Sequence, residues 1–263
     1  MVNYAGSFGS LDFGPGGDVA VVRLDGWFGR PQRRSTDLEL SGDGVARGAD
    51  MRGARTVAVT FGLRTFDPTQ LEALFDTVEA ALARGTTGTL TIGDRIAYAQ
   101  VDDHDFPTDP SWPGAERFIE APVIFTCADP RRYSAVETTT SITGSNPTLP
   151  SAGTAASPLR FTVAGACVAP RVRAQHLTGT PAWRFDSLTL TSGQTLTVNA
   201  QTRTAVVTET GQPDTPVDHL AVDDNGDTPL WRWLEVPAGG GAYGFARTSG
   251  TSTATGYTRD AYL

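Results

Sequence analysis

The sequence predicts a mainly β protein built from two folded units, the first carrying a single α-helix and the second none. Three observations lead there. Runs such as Val19–Leu24, Thr56–Leu63 and Thr195–Val198 are short, rich in β-branched and aromatic residues, and bounded by Gly, Pro or Asn. One segment alone, Pro68–Ala83, carries apolar residues at helical spacing. Residues 136–158 are Thr, Ser, Gly, Pro and Ala with almost nothing to bury, which places a seam between the units. The expected division is therefore 1–134, a linker over 135–158, and 159–263.

In the first unit, residues 4–28 read as a hairpin whose strand Val19–Leu24 lies between the Gly14-Pro-Gly-Gly17 breaker and the turn signal Asp25-Gly26. Trp27 and Phe28 follow that turn. Aromatics at a loop tip either form a contact surface or fold back on the core, and the sequence leaves both open. Residues 29–54 are polar and glycine-rich, carry Arg30, Arg33, Arg34 and Arg47, and read as a long loop. Thr56–Leu63 then alternates as a strand with Val57, Val59 and Phe61 on one face.

The helix has an N-cap at Asp67, proline in its first position and Gln70 three residues after the cap. Leu71, Leu74, Phe75, Val78 and Leu82 draw one apolar stripe, and Gly85 is placed to end it. Strands resume at Thr89–Ile92, Arg95–Val101 and Arg117–Cys127, the first two joined by Gly93-Asp94. Asp129-Pro130 then stops the last of them. The first unit is thus an α+β arrangement of antiparallel strands and one helix.

The second unit shows no helical period. Strands are expected at Leu159–Val163, Arg171–His176, Trp183–Leu190, Thr195–Val198, Thr204–Thr208, Leu230–Val236, Ala242–Phe245 and Thr253–Arg259. Short strands at this spacing point to a β-sandwich or jelly roll.

Composition narrows the function. A formal charge of −8 opposes nucleic-acid binding, which needs a cationic surface. All 21 basic residues are arginine, the side chain suited to planar, bidentate pairing at interfaces. Cys127 and Cys167 stand one in each unit among apolar neighbours and read as buried free thiols, a disulfide between them being the alternative. No apolar run approaches the roughly 18 residues of a membrane span, so a soluble protein made in a cytoplasm is expected, without membrane insertion.

Catalytic patterns are sparse. There is no Gly-x-Ser-x-Gly elbow, and Gly14-Pro-Gly-Gly17 is too short for a phosphate loop. Asp102-Asp-His104-Asp105 reads as a solvated acidic loop in preference to a metal site. Asp223-Asp-Asn225-Gly-Asp227 begins like a calcium loop, but Leu234 stands where the bidentate carboxylate belongs, so Asn225-Gly226 reads as a hairpin turn. Trp183, Trp231 and Trp233 are the candidate residues for stacking a sugar, and the same pattern also describes a core face. No catalytic residue, cofactor or metal is assigned, and no enzymatic activity is expected.

The order of these features resembles the distal tail protein family of long-tailed bacteriophages, the siphoviruses. The first unit carries Tyr4-x-x-x-Phe8-Gly9, the Val19–Leu24 strand with Asp25-Gly26, Gly42-Asp43-Gly44, the Arg55–Phe61 strand, the capped helix and Phe125-x-x-Ala-Asp129-Pro130-x-x-Tyr133. The second carries Pro158-Leu-x-Phe161, Gly165, Pro170-Arg-Val172, Gly193-x-x-Leu196-Thr-Val198, Arg203-Thr204 and Trp233-x-x-Val-Pro237. Asn199 departs from the aspartate expected after Leu-Thr-Val.

The resemblance implies a virion structural protein at the tail tip, made in the host bacterial cytoplasm. It would be a homo-hexameric ring joining the tail tube protein to the tip, hub and baseplate proteins, with the tape measure protein as a further neighbour. It also implies a tail-tube-like β-barrel or sandwich for the first unit and a galectin-like or carbohydrate-binding sandwich for the second. On this reading Trp27, Phe28, Arg30, Arg33, Arg34 and Arg47 are ring contacts, and adsorption to a host cell-wall glycan is the alternative role.

Overall fold

The computed structural model describes residues 4–31, 33–35, 38–39, 45–46, 50–65, 68–105, 118–143, 147–175, 182–217, 220–222 and 234–263. At 33–52, 68–69, 118 and 220–222 the description is of the backbone. The chain divides into two compact units, Met1–Ala135 together with Leu263, and Val136–Tyr262.

The first unit contains β1 (Gly6–Phe8), β2 (Leu11–Phe13), β3 (Val19–Asp25), β4 (Arg33–Ser35), β5 (Leu38–Glu39), β6 (Val45–Ala46), β7 (Asp50–Arg52), β8 (Arg55–Arg64), α1 (Pro68–Ala81), β9 (Thr87–Ile92), β10 (Arg95–His104), β11 (Phe118–Cys127) and β12 (Arg132–Ser134). Its main sheet is antiparallel with strand order β2-β1-β9-β10-β11-β8-β3, and β12 pairs with the start of β10. The path is open and does not close into a barrel.

Period-two alternation on β8 explains the core. Val57, Val59, Phe61 and Leu63 are all buried, and Phe125 of β11 packs edge-on against Phe61 at 6.5 Å between ring centroids. Helix α1 buries Leu71, Phe75 and Val78 in the same cluster, joined by Leu82 just past its last residue, with Leu74 packed against it. The expected stripe is the buried face. Its proposed cap, Asp67, lies outside the described residues. Gly85 adopts φ +86° but does not cap the helix; its N–H donates to the Val101 carbonyl at 2.8 Å, tying the helix exit to β10.

The N-terminal segment differs from the single hairpin expected. β1 and β2 form a tight hairpin, Phe8 opposite Leu11, while β3 pairs with β8. Asp25-Gly26 is therefore not a hairpin turn. Gly26 has φ +78°, and a Cβ there would lie 2.1 Å from the Thr56 carbonyl oxygen, so the residue is glycine because two backbones nearly touch. Gly93-Asp94 does join paired strands, with Ile92 opposite Arg95.

A proline sits inside β11, a strand flanked on both sides. Pro122 pairs with Thr60 of β8, and its carbonyl accepts from the Asp105 N–H at 3.0 Å, on the β10 side. In an antiparallel strand the N–H and C=O of one residue point the same way, so the missing N–H also faces β10, past the last pair of that ladder, His104 with Val123. The β8 ladder loses nothing.

Residues 29–54, expected as a loop, contain two short antiparallel ladders, Arg33–Ser35 with Asp50–Arg52 and Leu38–Glu39 with Val45–Ala46. Their polar, glycine-rich composition carries no apolar alternation, which is why sequence patterning missed them.

In the second unit a six-stranded sheet has the order Thr138–Ser141, Thr253–Thr258, Arg160–Ala164, Gln194–Asn199, Thr204–Glu209 and Thr215–Pro216. A five-stranded sheet has the order Thr148–Leu149, Gly241–Ala246, Arg171–Ala174, Ala182–Arg184 and Leu220–Val222. Phe161, Val163, Leu196 and Val198 of the first share one core with Val172, Ala174, Trp183 and Tyr243 of the second, which makes a β-sandwich.

The linker expected over 135–158 is corrected here. Thr138–Ser141, Thr148–Leu149 and Ser157–Pro158 are strands of this second unit, and Ile142 and Leu149 are fully buried. Two well-placed apolar residues and main-chain pairing hold a segment whose composition alone suggested a tether.

Candidate functional site

The corner where β3 ends, β8 begins and β12 passes collects most of the first unit's buried polar chemistry. Arg55 opens β8 in phase with Val57 and Phe61, so alternation turns a guanidinium toward the core, where it is 2% exposed. Its Nη1 donates to the carbonyls of Gly26 (2.8 Å), Trp27 (3.0 Å) and Gly29 (2.6 Å), and its Nε donates to Pro130 (2.9 Å). One arginine thereby holds the turn after β3 and the turn after β11. Its Nη2 is buried and without a partner. Burial lowers the pKa of Arg55.

Arg132 of β12 is also buried and lies over the Trp27 ring, 5.8 Å from its centroid, with its Nε unpartnered. Burial, then the neighbouring Arg55 and Arg95 charges, lower its pKa to about 10. Cys127 stands opposite Arg55 in the β8–β11 ladder, and burial pushes its thiol up to about 11 against the opposing pull of Arg55. Asp129 accepts from the Nε of Arg131 at 2.9 Å and from the Tyr133 hydroxyl. Burial alone would raise the Asp129 carboxyl, but the hydrogen bonds from Arg131 and Tyr133 and the Arg131 charge outweigh it and hold the pKa below the usual value.

A cavity of about 320 Å³ opens between the Gly26–Pro31 turn and the start of β8, with Arg30 and Arg55 in its lining.

The candidate contact residues separate. Trp27 is 1% exposed and belongs to the core, so it is not available as a surface contact. Phe28 is 59% exposed and touches Tyr4, with ring centroids 5.5 Å apart. Arg30 is exposed at the cavity, Arg33 and Arg34 lie on β4, and Arg47 lies outside the described residues.

The sugar-stacking candidates are corrected in part. Trp183 is 1% exposed and packs on Phe161 at 5.4 Å between centroids, so its faces are spent on the sandwich core. Trp231, Trp233 and the Asp223–Asp227 segment lie outside the described residues. Cys127 and Cys167 are buried free thiols. Asp102, Asp103 and His104 belong to the end of β10, and no group of three or more potential metal ligands occurs among the described residues. No helix of the described residues is long and apolar enough to cross a membrane.

Sequence reasoning missed Arg55 and Arg132 as a pair. The signal for Arg55 was present: an arginine two residues before Val57 on an alternating strand must face inward. Nothing local in the sequence brings Arg132 beside it, because that contact depends on pairing across the whole unit.

An open antiparallel sheet with one docked helix, and a second unit folded as a sandwich, define the class of this chain. That fold is shared, over 100% of both chains, with the Dit (gp 19.1) protein of phage SPP1, described as a paradigm of the hub adsorption apparatus in Gram-positive infecting phages; the TM-score is 0.67 and the identity 14%. Two structures of the phage P2 baseplate in its activated conformation are also similar. The one with Ca matches at TM-score 0.60 and 9% identity, covering 99% of this chain and 98% of that one. The one with Sr matches at 0.59 and 10%, covering 97% of each. No protein-family model and no curated protein matches the sequence.

Proposed function

We propose that this chain is a distal tail protein of a long-tailed phage, a structural hub in which six copies form a ring between the tail tube and the tip or baseplate. The observation that carries this reading is the end-to-end likeness to the SPP1 Dit protein, in which neither chain has a part left over. The absence of a catalytic pattern in the sequence agrees with a scaffold. The partners on this reading are the tail tube, tape measure and baseplate proteins of the same virion.

A ring of identical copies uses one heterologous interface repeated until it closes. Phe28, Arg30 and the β4–β7 ladders are the proposed contacts; an exposed aromatic close to an exposed arginine has the composition of a binding surface.

Native mass spectrometry and multi-angle light scattering over a concentration series test the reading. A discrete sixfold species, or a shift toward one with concentration, supports it. A strict monomer at high concentration that also fails to associate with purified tail tubes overturns it. The double variant Phe28→Ala with Arg33→Ala is expected to lower the particle mass, and an unchanged mass would remove this surface from the interface.

A further inference from the structure

The turn that follows β3 is held by one side chain. Arg55 Nη1 donates to the carbonyls of Gly26, Trp27 and Gly29, and among the described residues no backbone-to-backbone hydrogen bond reaches residues 26–30. The same guanidinium is tied from another side, since its Nε donates to Pro130 in the turn after β11. A buried cation is costly unless it is hydrogen-bonded, so any movement of the turn strips acceptors from Arg55 and the donor from the carbonyls at once.

The pinned carbonyls of Trp27 and Gly29 flank Phe28. Neighbouring side chains part there: the Trp27 indole is 1% exposed in the core, while the Phe28 phenyl is 59% exposed and rests against Tyr4. A loose turn would let the phenyl fold back on apolar surface and leave water, because burying a large apolar side chain is favourable. Keeping an aromatic on display therefore needs a restraint, and Arg55 supplies it. Lysine could not do the same, since an ammonium donates from a single point and lacks the fork that reaches both turns.

We propose that Arg55 is the positioning residue of the ring contact, fixing the 26–29 turn so that Phe28 is presented, already ordered, to a second copy of this chain. This rests on the ring reading given above. A contact side chain ordered before docking loses less conformational freedom on binding, which strengthens association without adding a contact.

The test has two arms on the full chain. In the first, at a concentration where the chain is monomeric, chymotrypsin cleavage of the peptide bond after Phe28 is timed by mass spectrometry. Phe28 is accessible, but cleavage needs the turn to open, so the rate follows the population of the open form. Arg55→Lys keeps the charge and loses the fork, and is expected to speed this cut at least tenfold while other cuts in the first unit keep their rates. An unchanged rate after Phe28 overturns the proposal, and so does an equal rise across the unit, which marks general destabilisation. Should that variant not fold, the wild type decides. Cleavage after Phe28 at least tenfold slower than in a free peptide of the same sequence supports the proposal, and a smaller difference overturns it.

In the second arm, native mass spectrometry compares the assembled fraction of wild type, Phe28→Ala, Arg55→Lys and the double variant. Each single substitution is expected to lower it, and the double variant no further than Phe28→Ala alone, because Arg55 acts through Phe28. Additive losses, or full assembly of Arg55→Lys, overturn the proposal. A wild type that never assembles sinks the ring reading instead, and the cut rates still decide whether Arg55 positions Phe28.

Discussion

Replacing Trp183 with alanine asks whether the second unit's tryptophan serves the core or a ligand. The indole is 1% exposed and lies against Phe161 between the two sheets. A buried aromatic removes on the order of 200 Å² from water, so at about 25 cal/mol per Å² the deletion costs about 5 kcal/mol. Direct experience with buried Trp or Phe truncated to Ala brackets the same range, about 3–5 kcal/mol. Against a domain stability of roughly 5–15 kcal/mol, that is a large fraction of the total. The melting temperature of the second unit should fall by on the order of 10–20 °C.

The assay is urea and thermal denaturation of the full chain, followed by far-UV circular dichroism so that the lost fluorophore does not bias the signal. The two units have separate cores, so the first unit's transition should stay where it is. A tryptophan buried in this way also predicts no change in its fluorescence on titration with cell-wall saccharides. A loss under about 1 kcal/mol, or an equal shift of both transitions, would refute the packing argument.

Three further outcomes follow, two from the first unit and one from the buried cysteine of each unit. Gly26→Ala forces a Cβ onto the Thr56 carbonyl at positive φ, so it should cost more than 2 kcal/mol; Gly9→Ala, at φ +58° with open space around it, should cost only about 1 kcal/mol, and thermal melts of the two separate the clash from the backbone term. Asp129→Asn should destabilise the unit at pH 7. Because the folded carboxyl titrates below its unfolded value of about 3.9, its contribution is fully present above that pH and lost as the pH falls through the lower folded value. The gap between wild type and variant should therefore close on acidification below about pH 4, read by urea midpoints at pH 7, 4 and 3. Cys127 and Cys167 should resist a disulfide thiol reagent at pH 8 in the native protein and react fully in denaturant; rapid native labelling of either would contradict its burial.

Much of the fold was legible because it rests on period. The alternation of Val57, Val59 and Phe61 and the helical stripe from Leu71 to Leu82 each state which face is buried, and those faces are the core. The strands of the second unit were legible for the same reason, though several are shorter than expected; Trp183–Leu190 is two strands, Ala182–Arg184 and Thr189–Leu190. What was not legible is non-local. Asp25-Gly26 has the composition of a hairpin turn, and only the approach of Thr56 reveals its purpose. Thr138–Ser141 looks like a tether until its partner Thr255–Thr258 arrives from more than a hundred residues away. The corner site required Arg55, Trp27 and Arg132 to meet, and no spacing rule joins them.

The pairing order also sets a timetable for the chain as it is made. Phe8 pairs with Leu90, so the first hairpin must wait for roughly 80 further residues before its sheet neighbour exists. At about 5–20 residues per second of synthesis, Phe8 waits on the order of 4–16 s for that partner. Thr138 in turn waits for Thr258. Each unit is closed by pairing an early strand with a late one, so neither folds progressively as it emerges. Chaperone capture of nascent chains should accordingly be strongest on fragments that stop short of β9, and should fall once β11 has cleared the ribosome.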